Sequence, residues 1–146
     1  MILNKIKIHY YFWLVSIIIL LIGLSNIDGT LDINVHDTYF IISHFHVAII
    51  LFTIYFIYGL GYWLVQEKFK KTLIKTLTIL HSVILIGSFL AYQIVIFYAR
   101  YFPSNDFPLF DDYQTINITI LVCFFLCLIA LPIYITNLTI SVFRKQ

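Results

Sequence analysis

Three of the five histidines, His36, His44 and His46, fall within eleven residues. Asp37 directly follows the first of them. Neutral imidazole is the commonest metal ligand and a frequent axial ligand of haem iron. A hard carboxylate such as Asp37 beside a histidine suits magnesium or manganese. The bland reading is a set of interfacial histidines bonded to loop carbonyls. An H-x-H pair close to a His-Asp pair argues against that and for ligation. Ionisable groups at membrane depth are costly and usually functional. On one helix, His44 and His46 point about 200° apart, because each residue turns the helix by about 100°. They cannot hold one ion from one face. They suit two sites, or one site plus a partner.

The elements that position these residues follow from composition. The chain has 146 residues, of which 62% are hydrophobic, 18% aromatic and 11% charged, and its mean hydropathy is +0.97. A soluble domain carries about 25% charge and 45–50% apolar residues. A soluble globule, a disordered chain and a nucleic-acid-binding domain are all excluded. Four apolar runs are visible, at about Tyr10 to Leu24, Phe40 to Val65, Leu73 to Ala99 and Ile116 to Val142. At about 20 residues per crossing they read as four transmembrane helices. In lipid the backbone must pair with itself, so the runs are helical. The fold class is all-α, a polytopic four-helix membrane bundle forming a single domain over residues 1–146.

The loops carry the turn formers: Asn26, Asp28 and Gly29, then Pro103, Ser104, Asn105 and Pro108. The first run follows Lys5 and Lys7 as a signal peptide would. No small-residue cleavage site follows it, so it reads as a retained helix. Lys5, Lys7, Lys68, Lys70, Lys71, Lys75, Arg144 and Lys145 all fall on one side of the four crossings, and only Arg100 falls on the other. Asp28, Asp32, Asp37, Asp106, Asp111 and Asp112 lie opposite the lysines, and Glu67 lies with them. Cationic loops stay in the cytoplasm. Both termini are therefore expected there, and the histidine cluster outside, in the first outer loop and the first turns of helix two. The expected location is the bacterial inner membrane.

The histidine segment resembles a known signature. It reads L-D-I-N-V-H-D-T-Y-F-I-I-S-H-F-H from Leu31 to His46. This is similar to the tenth-helix motif of haem-copper oxidase subunit I, the catalytic subunit of cytochrome c oxidase, which reads approximately L-D-I-x-x-H-D-T-Y-Y-V-V-A-H-F-H. A faint echo follows at Asp112-Tyr113-Gln114-Thr115. By helix order and loop length the chain resembles the last four helices of that twelve-helix subunit. The resemblance implies roles. His44 matches the proximal ligand of the high-spin haem, and His46 an axial ligand of the low-spin haem. His36 and Asp37 match a magnesium site beside the haem propionates. The implied side is the outer one, as the charges also indicate. The departures are equally specific. The copper ligands, the cross-linked tyrosine and the second low-spin axial ligand lie on earlier helices of the family and have no match here. The arginine pair that meets the propionates, expected between Tyr101 and Asp111, is replaced by Pro103-Ser104-Asn105. This chain alone is not expected to reduce oxygen.

Other residues read as structural. His81 lies deeper than His46, offset by roughly 10 Å across a core of about 30 Å. A shared iron needs both nitrogens about 2 Å away, as other metal–nitrogen bonds do. His81 is therefore expected to be a satisfied interior histidine, and His9 an interfacial one. Below His44 on its face come Ala48, Leu51, Tyr55, Tyr58 and Tyr62. They suggest either an electron or proton path or, more simply, helix packing. The His46 face is smoother, with Ile50, Thr53, Ile57 and Gly61, and suits a flat ring or a partner helix. Ser88 and Tyr92 share the His81 face. On helix four Asn117, Cys123, Cys127, Ala130, Tyr134 and Asn137 form a small or polar stripe, read as an inner seam. Pro132 is expected to kink that helix. Cys123 and Cys127 are one helical turn apart in an apolar run and read as packing residues, not a disulfide. No nucleotide loop, zincin motif, Ser/His/Asp set or CxxC is present.

Three functional classes remain. The first is a haem-binding membrane subunit in respiratory electron transfer, using His44 or His46. The second is a cofactor-free accessory or assembly subunit of a respiratory complex. The third is an outer-surface metal site built from His36, Asp37 and His44. The expected partners are the bilayer and either a second copy or other respiratory subunits. Histidines on opposite faces of one helix require a neighbour, because an imidazole facing lipid leaves a nitrogen unsatisfied at a cost of a few kcal/mol.

Overall fold

The computed structural model describes residues 7–35, 38–101 and 110–144. Its elements are α1 (Ile8–Ser25), β1 (Thr30–Val35), β2 (Thr38–Ser43), α2 (His44–Trp63), a π-helical turn (Leu64–Lys68), α3 (Lys75–Tyr101) and α4 (Phe110–Phe143). Four helices are long and apolar enough to cross a membrane: Ile8–Ser25, His44–Lys68, Lys75–Tyr98 and Asn117–Phe143. The chain is thus all-α in its spanning parts, and a multi-pass membrane protein in contact with lipid. Much of each helix surface is exposed and apolar, as at Leu14, Ile17 and Leu21 on α1 and Ile50 and Ile57 on α2. A helix that is hydrophobic all round belongs in a core or in lipid.

Two compact units are formed, Met1–Leu73 with Ile140–Gln146, and Ile74–Thr139. In the first unit α1 packs on α2. Phe12 is fully buried and its ring lies 6.2, 6.3 and 5.5 Å from those of Tyr55, Tyr58 and Tyr62. All three tyrosines are buried as well. The tyrosine ladder is thus a packing face for α1. Further along the pair, a side chain at Gly23 would overlap the Ala48 Cβ. One at Gly59 would come within 2.6 Å of the Trp13 indole. Small residues let the two backbones approach, as membrane helix pairs require.

The second run differs from expectation at its start. Residues 40–43 belong to a strand, not to the helix. β1 and β2 form a two-stranded antiparallel hairpin, with Thr30 opposite Ser43 and Val35 opposite Thr38. Leu31, Ile33 and Val35 alternate with Asp32 and Asn34 in the sequence, a strand period of two. Ile41, Ile42, Thr38 and Tyr39 are residue types that strands favour. The other departures are at helix ends. α4 begins at Phe110, six residues before the apolar run. Pro132 lies inside α4 and supplies no N–H to the ladder.

In the second unit, Ala130, Tyr134 and Asn137 of the α4 stripe are buried, and Cys123 and Cys127 are half-buried. Asn137 holds the start of α3. Its Oδ1 accepts from the Ile74 N–H at 3.1 Å, and its Nδ2 donates to the Thr78 hydroxyl at 2.8 Å. A helix start leaves unpaired N–H groups, and here a side chain from another helix takes one of them. The Cys123 thiol donates to the Ser88 carbonyl at 3.3 Å. The stripe is a seam against α3, as its composition suggests.

Candidate functional site

The hairpin delivers the histidine pair. Ser43, the last residue of β2, is the N-cap of α2, and its hydroxyl accepts from the Phe45 N–H at 3.3 Å. That hydroxyl in turn donates to the Ile27 carbonyl at 3.4 Å. The His44 N–H donates to the Gly29 carbonyl at 2.9 Å, while the Gly29 N–H closes a turn onto Asn26 at 3.2 Å. Strand end, helix start and the turn after α1 are therefore tied together at His44. The spacing of the two histidines then sends them apart, as the sequence requires.

His44 is half-buried. A methyl group placed on Gly29 would lie 2.7 Å from the His44 Cδ2 and 2.6 Å from the Asn26 amide nitrogen. Gly29 thus leaves room for the edge of the imidazole and for the Asn26 amide. Asn26 and Gly29 read as plain turn formers in the sequence, yet they form the wall beside His44. His46 is exposed. Below it Ile50 and Ile57 are 58% and 55% exposed. Between them the Thr53 hydroxyl is turned back onto the Ile49 carbonyl at 2.8 Å. The outward face is accordingly smooth and aliphatic. Among the described residues, no hydrogen bond engages a ring nitrogen of either histidine.

A haem would be held differently by the two. His46 fits: among the described residues its ring is accessible, its nitrogens are unengaged, and the Thr53 hydroxyl below it is turned back onto its own helix. His44 fits less readily, because its ring edge lies against Gly29 and its face of α2 is occupied by α1. The structure does not bring His44 and His46 together. No group of three His, Cys, Asp or Glu side chains among the described residues is placed to hold a metal ion. His36 and Asp37, the expected magnesium ligands, lie outside the described residues.

The remaining histidines are interior. His81 is fully buried and stacks on Tyr134, with ring centroids 5.1 Å apart. His9, expected at the interface, lies at the start of α1 and is fully buried as well. Its Nδ1 lies 3.2 Å from the Gln66 Oε1, and its ring packs against Trp13. The amide oxygen is an acceptor, so Nδ1 carries the proton. The Nε2 atom of His9 is buried without a hydrogen-bond partner among the described residues, as is the Trp13 Nε1. Next to this contact, Lys7 pairs with Glu67. The π-helical turn presents Gln66 and Glu67 to the start of α1. Nothing in the apolar periodicity marks His9 as buried. The available signal is that α1 and α2 run antiparallel, which brings their polar ends together.

No protein-family model, curated protein or solved structure matches this chain.

Proposed function

We propose that the chain is a haem-binding subunit of the bacterial inner membrane, with both termini cytoplasmic and a role in respiratory electron transfer. The observation that carries this reading is His46, an accessible imidazole with unengaged nitrogens above a smooth aliphatic face at the start of a spanning helix. The similarity of residues 31–46 to the oxidase motif supports it. When bound, haem supplies one-electron redox chemistry. His46 would hold it, and Ile50 and Ile57 would keep water from that face. A further ligand would come from a second copy or from another subunit, with α2 at the interface. The basic ends of the spans support the cytoplasmic assignment of the termini.

The test is the absorbance spectrum of protein purified from haem-replete cells. A Soret band is expected, lost in His46→Ala and reduced or shifted in His44→Ala. Full haem retention in both single variants and in the double variant overturns the assignment. The close fit of His44 against Gly29 and of Gly23 against Ala48 favours a second reading, a cofactor-free accessory subunit. That reading predicts a colourless protein with no stoichiometric metal on elemental analysis. A divalent metal without haem would point to the outer-surface site of His36, Asp37 and His44.

A further inference from the structure

The end of the first unit opposite the histidines gathers basic side chains in one place. The π-helical turn of residues 64–68 ends in a reversal. The Phe69 N–H returns to the Leu64 carbonyl at 2.9 Å and the Lys71 N–H to the Val65 carbonyl at 3.0 Å. Lys70 adopts φ 54°, the left-handed conformation that closes helix ends. This reversal points Lys71 at the last turn of α4, where its ammonium donates to the Arg144 carbonyl at 3.0 Å. The side chains of Lys68, Lys70 and Arg144 are exposed around that contact.

Like charges gathered at one end of a unit repel, and an anion among them relieves that repulsion. The only acid in the segment between α2 and α3 is Glu67, and Lys7 already pairs with it. Two large aromatics flank the cations, Phe69 at 51% and Phe143 at 81% exposed. Lysines and arginines beside spanning helices attract anionic headgroups, and aromatic rings settle at the same interfacial depth.

We propose that Lys68, Lys70, Lys71 and Arg144 form a docking site for the headgroup of an anionic phospholipid, with Phe69 and Phe143 against its acyl chains. The charges recognise the phosphodiester and its net negative charge. The rings favour a lipid over a soluble anion, which has no acyl chain to cover them. The site is independent of the histidine pair and holds whether or not haem is bound.

The test uses the full chain in mild detergent. Retention of phosphatidylglycerol and of phosphatidylcholine is measured by native mass spectrometry, with inorganic phosphate as competitor. Phosphatidylglycerol is expected to bind more tightly. Each of Lys68→Gln and Lys70→Gly should weaken it about fivefold, from about 1 kcal/mol per basic residue at a membrane surface. Adding Lys71→Gln should bring the loss to about a hundredfold. Lys70→Gly keeps the left-handed turn, so it tests charge without threatening the fold. Equal binding of the two lipids overturns the proposal, as does unchanged binding in the neutralised variants. Displacement by inorganic phosphate at matched concentration overturns it too, because the site would then belong to a soluble anion.

Discussion

His44 and His46 leave the same helical turn into different surroundings, one against Gly29 and Asn26 and the other into the open. Their divergence was legible in the sequence, because residue spacing alone fixes the angle between them. The wall beside His44 was not, because it depends on how the turn at 26–29 folds back. The packing around His9 was not legible either. Its burial follows from the pairing of α1 with α2, which a single-helix pattern does not show. The His9–Gln66 contact makes a measurable prediction. Gln66→Leu leaves the Nδ1–H of a buried imidazole without an acceptor and should cost about 1–3 kcal/mol. Adding His9→Leu removes the orphan, so the double variant should lose less than the sum of the singles. Unfolding midpoints of the four proteins in detergent form the cycle, and strict additivity would contradict the contact. Lys7→Met should leave the unfolding midpoint almost unchanged, because that pair is exposed and screened. Asn137→Leu keeps the branched shape but leaves the Ile74 N–H without that acceptor, and should again cost about 1–3 kcal/mol.

Among the elements, the four spans were legible from hydropathy, and their ends were not. The hairpin was hidden because residues 40–43 are apolar and continue directly into the helix. Apolar runs do not distinguish strand from buried helix. The alternation at Leu31, Ile33 and Val35 was the readable clue. The early start of α4 was hidden because its first turns are polar and add nothing to a hydropathy window. Two substitutions test how the elements meet. Gly23→Ala would raise helix propensity in isolation. Against the Ala48 Cβ it should instead destabilise by about 1–3 kcal/mol, as overpacking does. A stabilised protein, measured by thermal unfolding, would show that the α1–α2 crossing is looser than described. Ser43→Ala removes the N-cap of α2 and should cost about 1 kcal/mol. It should also perturb the His44 environment, visible as a shift in the imidazole proton resonances.

For the whole molecule, the charge asymmetry carries the most information. Lys7 reaches Glu67, and Lys71 reaches Arg144. The first and last described residues of the chain therefore lie at the same end of the first unit. A reporter active only in the cytoplasm should be active at either terminus, and one active only in the periplasm should be silent at both. Activity of the periplasmic reporter after Gln146 would reverse the topology. A haem held by His46 as proposed would draw a further ligand from outside one copy, which predicts an oligomer. The haem-loaded species should exceed the 17.2 kDa of one chain once detergent is subtracted, and a haem-loaded monomer would contradict it. The candidate site was readable from the spacing of its histidines and from a resemblance over sixteen residues, from Leu31 to His46.

The π-helical turn at 64–68 also sets a length constraint. Such a turn fits one more residue into a helical stretch than an α-helix would hold. Deleting a single residue there would let the segment close as ordinary α-helix, with the residues beyond it kept nearly in place and those of the turn itself shifted against α1. Gln66 or Glu67 would then be displaced from its partner on α1. The segment should therefore tolerate exchanges of residue type far better than changes of length. In a library of single deletions and substitutions scored by membrane expression, deletions at 64–68 should fall well below substitutions at the same positions. The extra residue of the turn, more than the identity of its neighbours, keeps Gln66 and Glu67 against the start of α1.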